Sequence, residues 1–351
     1  MKKLIYSFAI VLLVLSYSCE KEDFNCSQTV SKILFLSWRI ENSQDWNLCI
    51  MNKDGSEQKK LTDLTVKYGK PILSHSNKTV LFVHYTEDHF YELYSICIVG
   101  TNLTLIDRAD RYCGSADWSR DDTKIIYSKN RNESTDEKDL ILLDIVTKST
   151  KTLTSTGYNI SAKFSINDKI AYVHHIDNQW NIYTMDMDGN NKKLIIPDAN
   201  NPVWSPDGSK IAYQSLIDNG SSQIFVSNSD GTNQKQLTTT YSSRVWPGWP
   251  PFGNYDPNWS RDGKKIVYVS WEDGDSEIHI MNSDGSKFKL TNTDKRDEHP
   301  EITADGKFIL FSSNRNMDME TEIFVMDIYG KNQKPLTNNY RRDIYPVEVN
   351  K

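Results

Sequence analysis

A strand-like segment ends in Leu-Thr or Leu-Ile seven times along this chain, at intervals of 41 to 53 residues. The seven pairs begin at Leu61, Leu105, Leu153, Leu194, Leu237, Leu290 and Leu336. A recurring period of this length is typical of repeat architectures, in which each repeat is one supersecondary unit. Because the repeats occupy everything after about residue 31, the sequence predicts one domain built from similar units.

The clearest unit consists of four short apolar segments that are separated by turn sequences. It opens with Pro-Val-Trp-Ser-Pro-Asp-Gly at residues 202–208, continues through Ser-Asp-Gly at 229–231 and ends at Leu237. Aspartate and glycine favour tight turns, since aspartate bonds its own backbone and glycine accepts a positive φ. The segments between the turns are rich in β-branched and aromatic residues, which is typical of strands.

Four-stranded units of about 40–50 residues, arranged radially, predict an all-β β-propeller. Seven last strands are present, but the first unit begins in its middle, at residues 32–37. Residues 343–349 have the spacing of the missing opening strand. We therefore predict seven blades, with six as the alternative, and a C-terminal strand that pairs into the first blade. Such closure removes exposed sheet edges.

The motif at residues 204–208, followed by Ile224-Phe225-Val226 and Ser-Asp-Gly, resembles the WD40-like repeats of TolB-type propellers. The same repeat occurs in the propeller of prolyl oligopeptidase-type peptidases. The resemblance covers residues 32–349 and implies the fold. It does not by itself imply a function, because this repeat supports binding modules and enzyme domains alike.

The first 18 residues predict a secretory signal, with Lys2 and Lys3 before an apolar run that ends at Leu15. Cys19 follows a small residue, as in bacterial lipoprotein signals, and is the predicted lipidation site. The expected organisation is a signal peptide at 1–18, a lipidated linker at 19–31 and a propeller at 32–351. Residues 20–23 resemble a surface-export signal. We expect an outer-membrane lipoprotein that is either surface-exposed or periplasm-facing.

Charge and cysteine content restrict the partners and the compartment. Removing residues 1–18 removes two lysines and no acids, which takes the formal net charge from −6 to −8. An acidic chain without a basic run argues against nucleic acid as a partner. The other cysteines are Cys26, Cys49, Cys97 and Cys113, an even number that permits disulfides in an oxidising compartment. Their pairing stays open, with buried thiols or a bridge between Cys49 and Cys97 as alternatives.

The position that begins each unit is expected to ring the mouth of a central channel. The seven residues are polar and differ from one another: Lys70, Ser115, Ser161, Asn201, Asp256, His299 and Tyr345. A polar ring of this kind predicts a recognition surface; the alternative is that these strand ends are only solvated.

One insertion between Leu237 and Trp259 breaks the period and contains Arg244, Trp246, Trp249 and Tyr255. Exposed aromatic clusters usually mark contact sites, and prolines in the same segment limit the entropy lost on binding. The predicted ligand-binding residues are therefore Arg244, Trp246, Trp249, Tyr255, Asp256 and His299. Four further tryptophans are expected in loops of the same face: Trp38, Trp46, Trp180 and Trp271.

The enzyme alternatives need residues that the sequence supplies only in part. A prolyl oligopeptidase-type hydrolase needs a Gly-x-Ser-x-Gly elbow, which this sequence lacks. A metal-dependent enzyme resembling the oligogalacturonate lyases needs several imidazoles on one cation. His84, His174 and His299 are the candidates, but they come from different repeats. Calcium at the acidic loop around Asp294, Asp297 and Glu298 is a further possibility, against a solvated surface.

We expect a non-catalytic cell-envelope lipoprotein that binds a protein, peptide or glycan on its loop-rich face, without a cofactor. The alternatives are the metal-dependent carbohydrate-active enzyme and an envelope assembly factor without a small-molecule ligand.

Overall fold

Every regular element that the computed structural model describes is a β-strand, as the sequence predicts. The described residues are 26, 31–38, 46–132, 134–217, 221–239, 253–271, 275–282, 285–316, 320–339 and 342–350. Within those ranges, no helix is long and apolar enough to cross a membrane.

The 28 strands of the described ranges form five four-stranded sheets and one eight-stranded sheet. The first sheet contains β1 (Lys32–Trp38), β2 (Trp46–Asn52), β3 (Lys59–Val66) and β28 (Arg342–Val349). The second contains β4 (Tyr68–Leu73), β5 (Thr79–Tyr85), β6 (Tyr91–Cys97) and β7 (Thr104–Ala109). The eight-stranded sheet contains β8 (Cys113–Trp118), β9 (Lys124–Asn130), β10 (Lys138–Asp144), β11 (Thr150–Thr152), β12 (Tyr158–Phe164), β13 (Lys169–Ile176), β14 (Gln179–Asp186) and β15 (Lys193–Ile196).

The remaining three sheets follow in chain order. One contains β16 (Ala199–Trp204), β17 (Lys210–Leu216), β18 (Ser222–Asn228) and β19 (Lys235–Gln236). The next contains β20 (Asn254–Trp259), β21 (Lys265–Ser270), β22 (Glu277–Asn282) and β23 (Lys287–Lys289). The last contains β24 (Asp297–Ile302), β25 (Phe308–Ser313), β26 (Glu322–Asp327) and β27 (Lys334–Pro335).

Five sheets are separate four-stranded blades, which differs from the seven blades, or six, that the repeats predict. The difference arises at one backbone bridge, where Lys138 in β10 pairs in parallel with Tyr158 in β12. This bridge joins β8–β11 and β12–β15 into a single sheet, although each half is an antiparallel succession of four strands.

The C-terminal strand pairs with the first strand of the chain, in agreement with the sequence. β28 lies antiparallel to β1, with Lys32 opposite Val349 and Trp38 opposite Arg342. Val347 and Val349 are buried in the core cluster of the first two blades. The two ends of the repeat region are therefore held together by strand hydrogen bonds and apolar packing.

The tryptophan of the opening motif ties a blade to the preceding unit. Trp118, Trp204 and Trp259 each donate from the indole N–H to a backbone oxygen in the innermost strand before them, at 3.0 to 3.3 Å. Each such bond satisfies a polar atom at a mostly buried position, so the ring packs without an unpaired donor. The recurring tryptophan thus links neighbouring units through a hydrogen bond.

In several units, the recurring leucine of the last strand, or the residue after it, meets a glycine turn of the next unit. A Cβ on Gly55, whose φ is +89°, would lie 2.1 Å from the backbone oxygen of Leu336. A Cβ on Gly231, at φ +85°, would lie 2.2 Å from that of Ile195. Glycine is required there both by the left-handed backbone and by the close approach of the neighbouring strand.

The threonine that follows this leucine links the outermost chain segment of a blade to the third strand through its side-chain hydroxyl. In the sheet of β20–β23, the Thr291 hydroxyl accepts the Ile278 N–H at 2.9 Å and donates to a carboxylate oxygen of Glu277 at 2.5 Å. Threonines 154 and 337 make the same pair of contacts, and Thr238 makes it with the amide oxygen of Gln223 in place of a carboxylate. The Leu-Thr repeat therefore holds the outermost chain segment to the third strand.

Glu277, the acid in the third strand of its blade, is buried, and its pKa is therefore raised. Glu277 is 2% exposed, and desolvation raises its pKa to about 7, against opposing hydrogen bonds from Thr291 and the Thr293 N–H. The nearby carboxylate of Asp297 also raises the pKa of Glu277, while Asp297 itself pairs with Arg315 at 2.8 Å. The corresponding residues one unit earlier in the chain are amides: Asn254 in β20 donates from its side-chain N–H to the Gln223 side-chain oxygen in β18, at 2.9 Å.

Glu277→Gln is expected to make the protein more stable at pH 8 than the wild type, with little difference near pH 4.5. A carboxyl whose pKa is raised by folding loses stability as pH rises from its unfolded value, near 4.5, through its folded value, near 7. The gain at pH 8 should be on the order of 2 kcal/mol. Urea denaturation at both pH values measures it. Gln223→Glu should introduce the opposite pH dependence, and a pH-independent difference for both variants would contradict this assignment.

One disulfide connects the N-terminal segment to the second blade. Cys26 bonds to Cys97 at the end of β6, across a sequence separation of 71 residues. Cys49 and Cys113 are buried and lie outside this bond, so the alternative bridge between Cys49 and Cys97 is wrong. Cys49 and Cys97 lie in different blades, whereas residue 26 packs directly against the start of β5, where the Thr79 hydroxyl approaches its sulfur at 3.3 Å.

Candidate functional site

The seven predicted mouth positions, from Lys70 to Tyr345, share one backbone feature. The strand that carries each of them shifts register there against its neighbour. Six of the seven have a φ between +47° and +55°, and at the seventh, Lys70, the preceding Gly69 has a φ of +85°. A bulge of this kind re-aims one side chain out of the strand's regular alternation. We call these seven residues the mouth ring.

All seven residues of the mouth ring line one central cavity of about 850 Å³. The sequence prediction of their position is therefore correct. The ring is uneven, because Ser115, Ser161 and Asn201 are small, whereas Asp256, His299 and Tyr345 are larger and come from consecutive units. A ligand that entered the cavity would meet different chemistry on its two sides.

Asp256 is the acidic group of the ring. Its side chain is open to the cavity and enclosed by the surrounding blades, and this burial raises the pKa of its carboxyl, while Lys70 opposes the shift. Among the described residues it makes no hydrogen bond and no ion pair. A carboxylate held in this way favours any ligand that brings a cation or a hydrogen-bond donor.

A second carboxyl lies behind Asp256. Glu298 accepts hydrogen bonds from the Ser276 hydroxyl at 3.1 Å and from the Tyr255 hydroxyl at 3.4 Å. Burial raises the pKa of Glu298, and the charge of Asp256 adds to the rise. Burial likewise raises the pKa of Tyr255, so its hydroxyl stays protonated and can donate to Glu298.

His299 and Tyr345 form an aromatic pair on the cavity wall. Their ring centroids lie 4.0 Å apart, and His299 Nδ1 lies 3.4 Å from the Ser312 hydroxyl. Burial lowers the pKa of His299 to about 3, and Lys70 contributes in the same direction. The imidazole is therefore neutral at physiological pH. Burial raises the pKa of Tyr345 to about 12, which keeps its phenol protonated.

The other charged groups of the cavity wall occur in pairs. Lys70 bonds to Glu301 at 2.9 Å, and Lys163 lies 3.3 Å from Asp117. Since these charges cancel pairwise, Asp256 is the charge without a partner among the described lining residues. The cavity therefore carries a local negative excess at the mouth ring.

The three histidines proposed as metal ligands are not brought together. His84 Nδ1 bonds to the Thr65 backbone oxygen at 2.8 Å, and His174 Nδ1 lies 2.9 Å from Asn159 Oδ1. Neither lines the cavity that His299 faces. No group of three or more potential metal ligands occurs in the described parts of the chain.

The acidic loop proposed for calcium is only in part a solvated surface, because Asp294 is exposed and the other two acids are not. Asp297 is 0% exposed and pairs with Arg315. Glu298, the next residue along β24, is bound instead by Ser276 and Tyr255. Adjacent strand residues point to opposite faces, which separates the two carboxylates.

Only the end of the aromatic insertion, from residue 253, belongs to the described residues. Arg244, Trp246 and Trp249, as well as Cys19, lie outside the described residues. Tyr255 belongs to β20 and not to a loop. Three of the four tryptophans expected in loops of this face lie in strands instead: Trp38 in β1, Trp46 in β2 and Trp180 in β14. Trp38 and Trp46 pack together at 6.1 Å and Trp180 is exposed, whereas Trp271 lies outside a strand and is buried at 8% exposure.

The fold agrees with comparisons to known proteins. A family model described as the TolB beta propeller domain matches residues 80–343, which is most of the repeat region. The chain belongs to the TolB β-propeller family. The Tol-Pal system protein TolB of Alcanivorax borkumensis is 32% identical over 112 residues, covering 30% of this chain and 24% of that protein.

Two solved structures share this fold. The crystal structure of TolB from Acinetobacter baumannii matches with a TM-score of 0.56 at 17% identity, over 90% of this chain and 82% of that one. An oligogalacturonate lyase of Vibrio parahaemolyticus matches with a TM-score of 0.62 at 16% identity, over 85% and 86%. At these identities the likeness shows the fold alone. The chain spans less than half the length of the curated relatives it matches by sequence.

Proposed function

We propose that this protein is a non-catalytic cell-envelope scaffold that binds a protein partner at the mouth ring. The observation that carries the proposal is Asp256, a carboxylate enclosed by the blades, open to the cavity and without a partner among the described residues. A lysine or arginine side chain of the partner would enter the cavity and pair with Asp256. The neutral His299 and the small residues opposite would leave room for it.

Membership of the TolB β-propeller family supports a role in the envelope, because the curated TolB relatives are named as parts of the Tol-Pal system. The signal-like residues 1–18 and Cys19 fit an exported lipoprotein. An anchor at Cys19 would lie seven residues before Cys26, which the disulfide holds at the end of β6 opposite the mouth ring. The mouth ring would then face away from the membrane.

We also infer that the ring contains seven repeat units. The two halves of the eight-stranded sheet meet as the separate blades do, since a Cβ on Gly189 would lie 3.1 Å from the Leu153 side chain. At the corresponding place where the first and last units meet, Gly55 approaches the Leu336 backbone oxygen. The single bridge between Lys138 and Tyr158 would then be a local addition to a regular seven-unit array.

Peptides selected on the purified protein are expected to contain lysine or arginine. Phage display of random hexapeptides on the wild type, followed by affinity measurement on Asp256→Asn, tests the proposal. Loss of one charge-assisted contact should weaken binding about 10- to 100-fold. Asp230→Asn, an exposed change on the opposite face, is the matched control and should leave the affinity unchanged. Selected peptides without basic residues, or equal affinity for Asp256→Asn, would contradict it.

A further inference from the structure

Six aromatic side chains run across three successive repeat units on the face that carries the mouth ring. We call them the aromatic ridge: Tyr85, Tyr91, Tyr112, Tyr158, His175 and Trp180. Ring centroids lie 4.8 Å apart between Tyr85 and Tyr91, and 4.1 Å apart between His175 and Trp180. The rings are half-buried, except Trp180, which is 39% exposed. The aromatic insertion is separate in sequence from this ridge.

A lysine fills the gap in the middle of the ridge. The Lys138 ammonium lies 4.9 Å from the centre of the Tyr112 ring and 3.8 Å from that of Tyr158. The residue is only 7% exposed, yet its ammonium makes no hydrogen bond and no ion pair with any described residue. The two tyrosine rings stabilise the charge through cation–π attraction.

The acidic side chains next to Lys138 in sequence, Glu137 and Asp139, form ion pairs with another cation. Arg131 binds both carboxylate oxygens of Asp139, at 2.7 and 2.9 Å, and also bonds to Glu137. Lys138 is therefore a positive charge between aromatic faces that is available for an anionic group from outside. An anion bound there would make a charge-assisted hydrogen bond with the ammonium, whose gain is offset in part by the desolvation of the anion.

Backbone N–H and C=O groups of the ridge are already paired within their own sheets, which leaves few of them for an extended peptide to bind. Tyr85 pairs with Tyr91 and His175 with Trp180 across their hairpins, and the Tyr112 carbonyl accepts the Asn130 N–H at 3.1 Å. Peptides that add to a sheet rely on free backbone groups at its edge. A ligand on the ridge must instead be recognised by ring faces, phenol hydroxyls and one ammonium.

We propose that the aromatic ridge binds an acidic oligosaccharide. Sugar rings present C–H faces that pack on aromatic rings and hydroxyls that bond to tyrosine, and a uronate carboxylate would pair with Lys138. The length of the ridge, over three units, suits several sugar residues in a row. The inner end of the ridge reaches the cavity, because Tyr112 also lines the cavity wall and bonds to Ser115 at 2.7 Å. This site is independent of the protein-binding role proposed for Asp256.

Isothermal titration of the full chain with four probes tests the proposal. Hyaluronan hexasaccharide and an alginate hexasaccharide supply uronates, N-acetylchitohexaose is the neutral match, and hexaglutamate is the peptide match. At least one uronate probe is expected to bind at least tenfold more tightly than either match. High salt should weaken this binding, because part of it is electrostatic.

Two variants and two controls assign the binding to the ridge. Lys138→Met keeps the packing against the tyrosines without the charge and should weaken uronate binding at least tenfold, as should Trp180→Ala. The controls are Lys264→Met and Phe288→Ala, exposed changes in another blade that should leave it unchanged. Equal binding of the neutral hexasaccharide or of hexaglutamate, no binding of either uronate, or full binding by folded Lys138→Met would overturn the proposal.

Discussion

Deleting residues 342–351 is expected to abolish the cooperative unfolding of the propeller. The deletion removes β28, which pairs with β1 from Lys32 to Trp38, and takes Val347 and Val349 out of the core. Each buried valine contributes about 1.5–3 kcal/mol, and the strand's hydrogen bonds add to that. The sum approaches the 5–15 kcal/mol by which a typical domain is stable. Urea denaturation followed by tryptophan fluorescence measures the loss.

A synthetic peptide of residues 342–351, added in excess, should restore a cooperative transition to the shortened chain. Removing only residues 350 and 351 leaves β28 intact and serves as the control, with no more than a small change in stability. A shortened chain that unfolds with the wild-type midpoint would show that β28 does not close the ring.

Loss of the Cys26–Cys97 disulfide is expected to lower the free energy of unfolding by about 2–5 kcal/mol. The bond closes a long loop, with a sequence separation of 71 between its ends, and therefore restricts the unfolded chain strongly. It also holds residue 26 against the propeller, where Cys26 is 5% exposed. Urea denaturation with and without dithiothreitol measures the effect on the mature chain.

The reductant itself needs a control, because Cys49 and Cys113 are also present. Cys26→Ala combined with Cys97→Ala should be as unstable as the reduced wild type and should not respond to dithiothreitol. If the oxidised wild type and the double variant share one midpoint, the disulfide contributes nothing to stability.

The all-β propeller fold was predictable from the sequence because the residues that recur in the repeat are those that make contacts between units. The Trp204 indole, the Gly55 turn and the Thr291 hydroxyl each perform one task in several units, so their spacing reveals the unit length. The bridge that merges two units into one sheet involves backbone atoms of Lys138 and Tyr158. Backbone pairing of a single residue leaves no pattern in the sequence.

The position of the mouth ring was predictable, whereas its electrostatics were not. Asp256 and His299 could be placed at equivalent positions by counting, but the pairing of Lys70 with Glu301 joins side chains from units distant in sequence. The aromatic ridge was missed for a similar reason. Its tyrosines look like ordinary strand residues, and only the packing of three units places Tyr112 and Tyr158 on either side of Lys138. The exposed Trp180 was its one visible signal.

Photo-crosslinking in the native envelope tests the central claim most directly, namely that a protein partner binds at the mouth ring. Benzoylphenylalanine would be placed at Asn201, on the cavity wall, and separately at Tyr329, which is 79% exposed on the opposite face. We predict a discrete protein adduct from position 201 that Asp256→Asn diminishes, and none from position 329. Adducts from position 329 alone, or adducts from 201 that Asp256→Asn leaves unchanged, would contradict it.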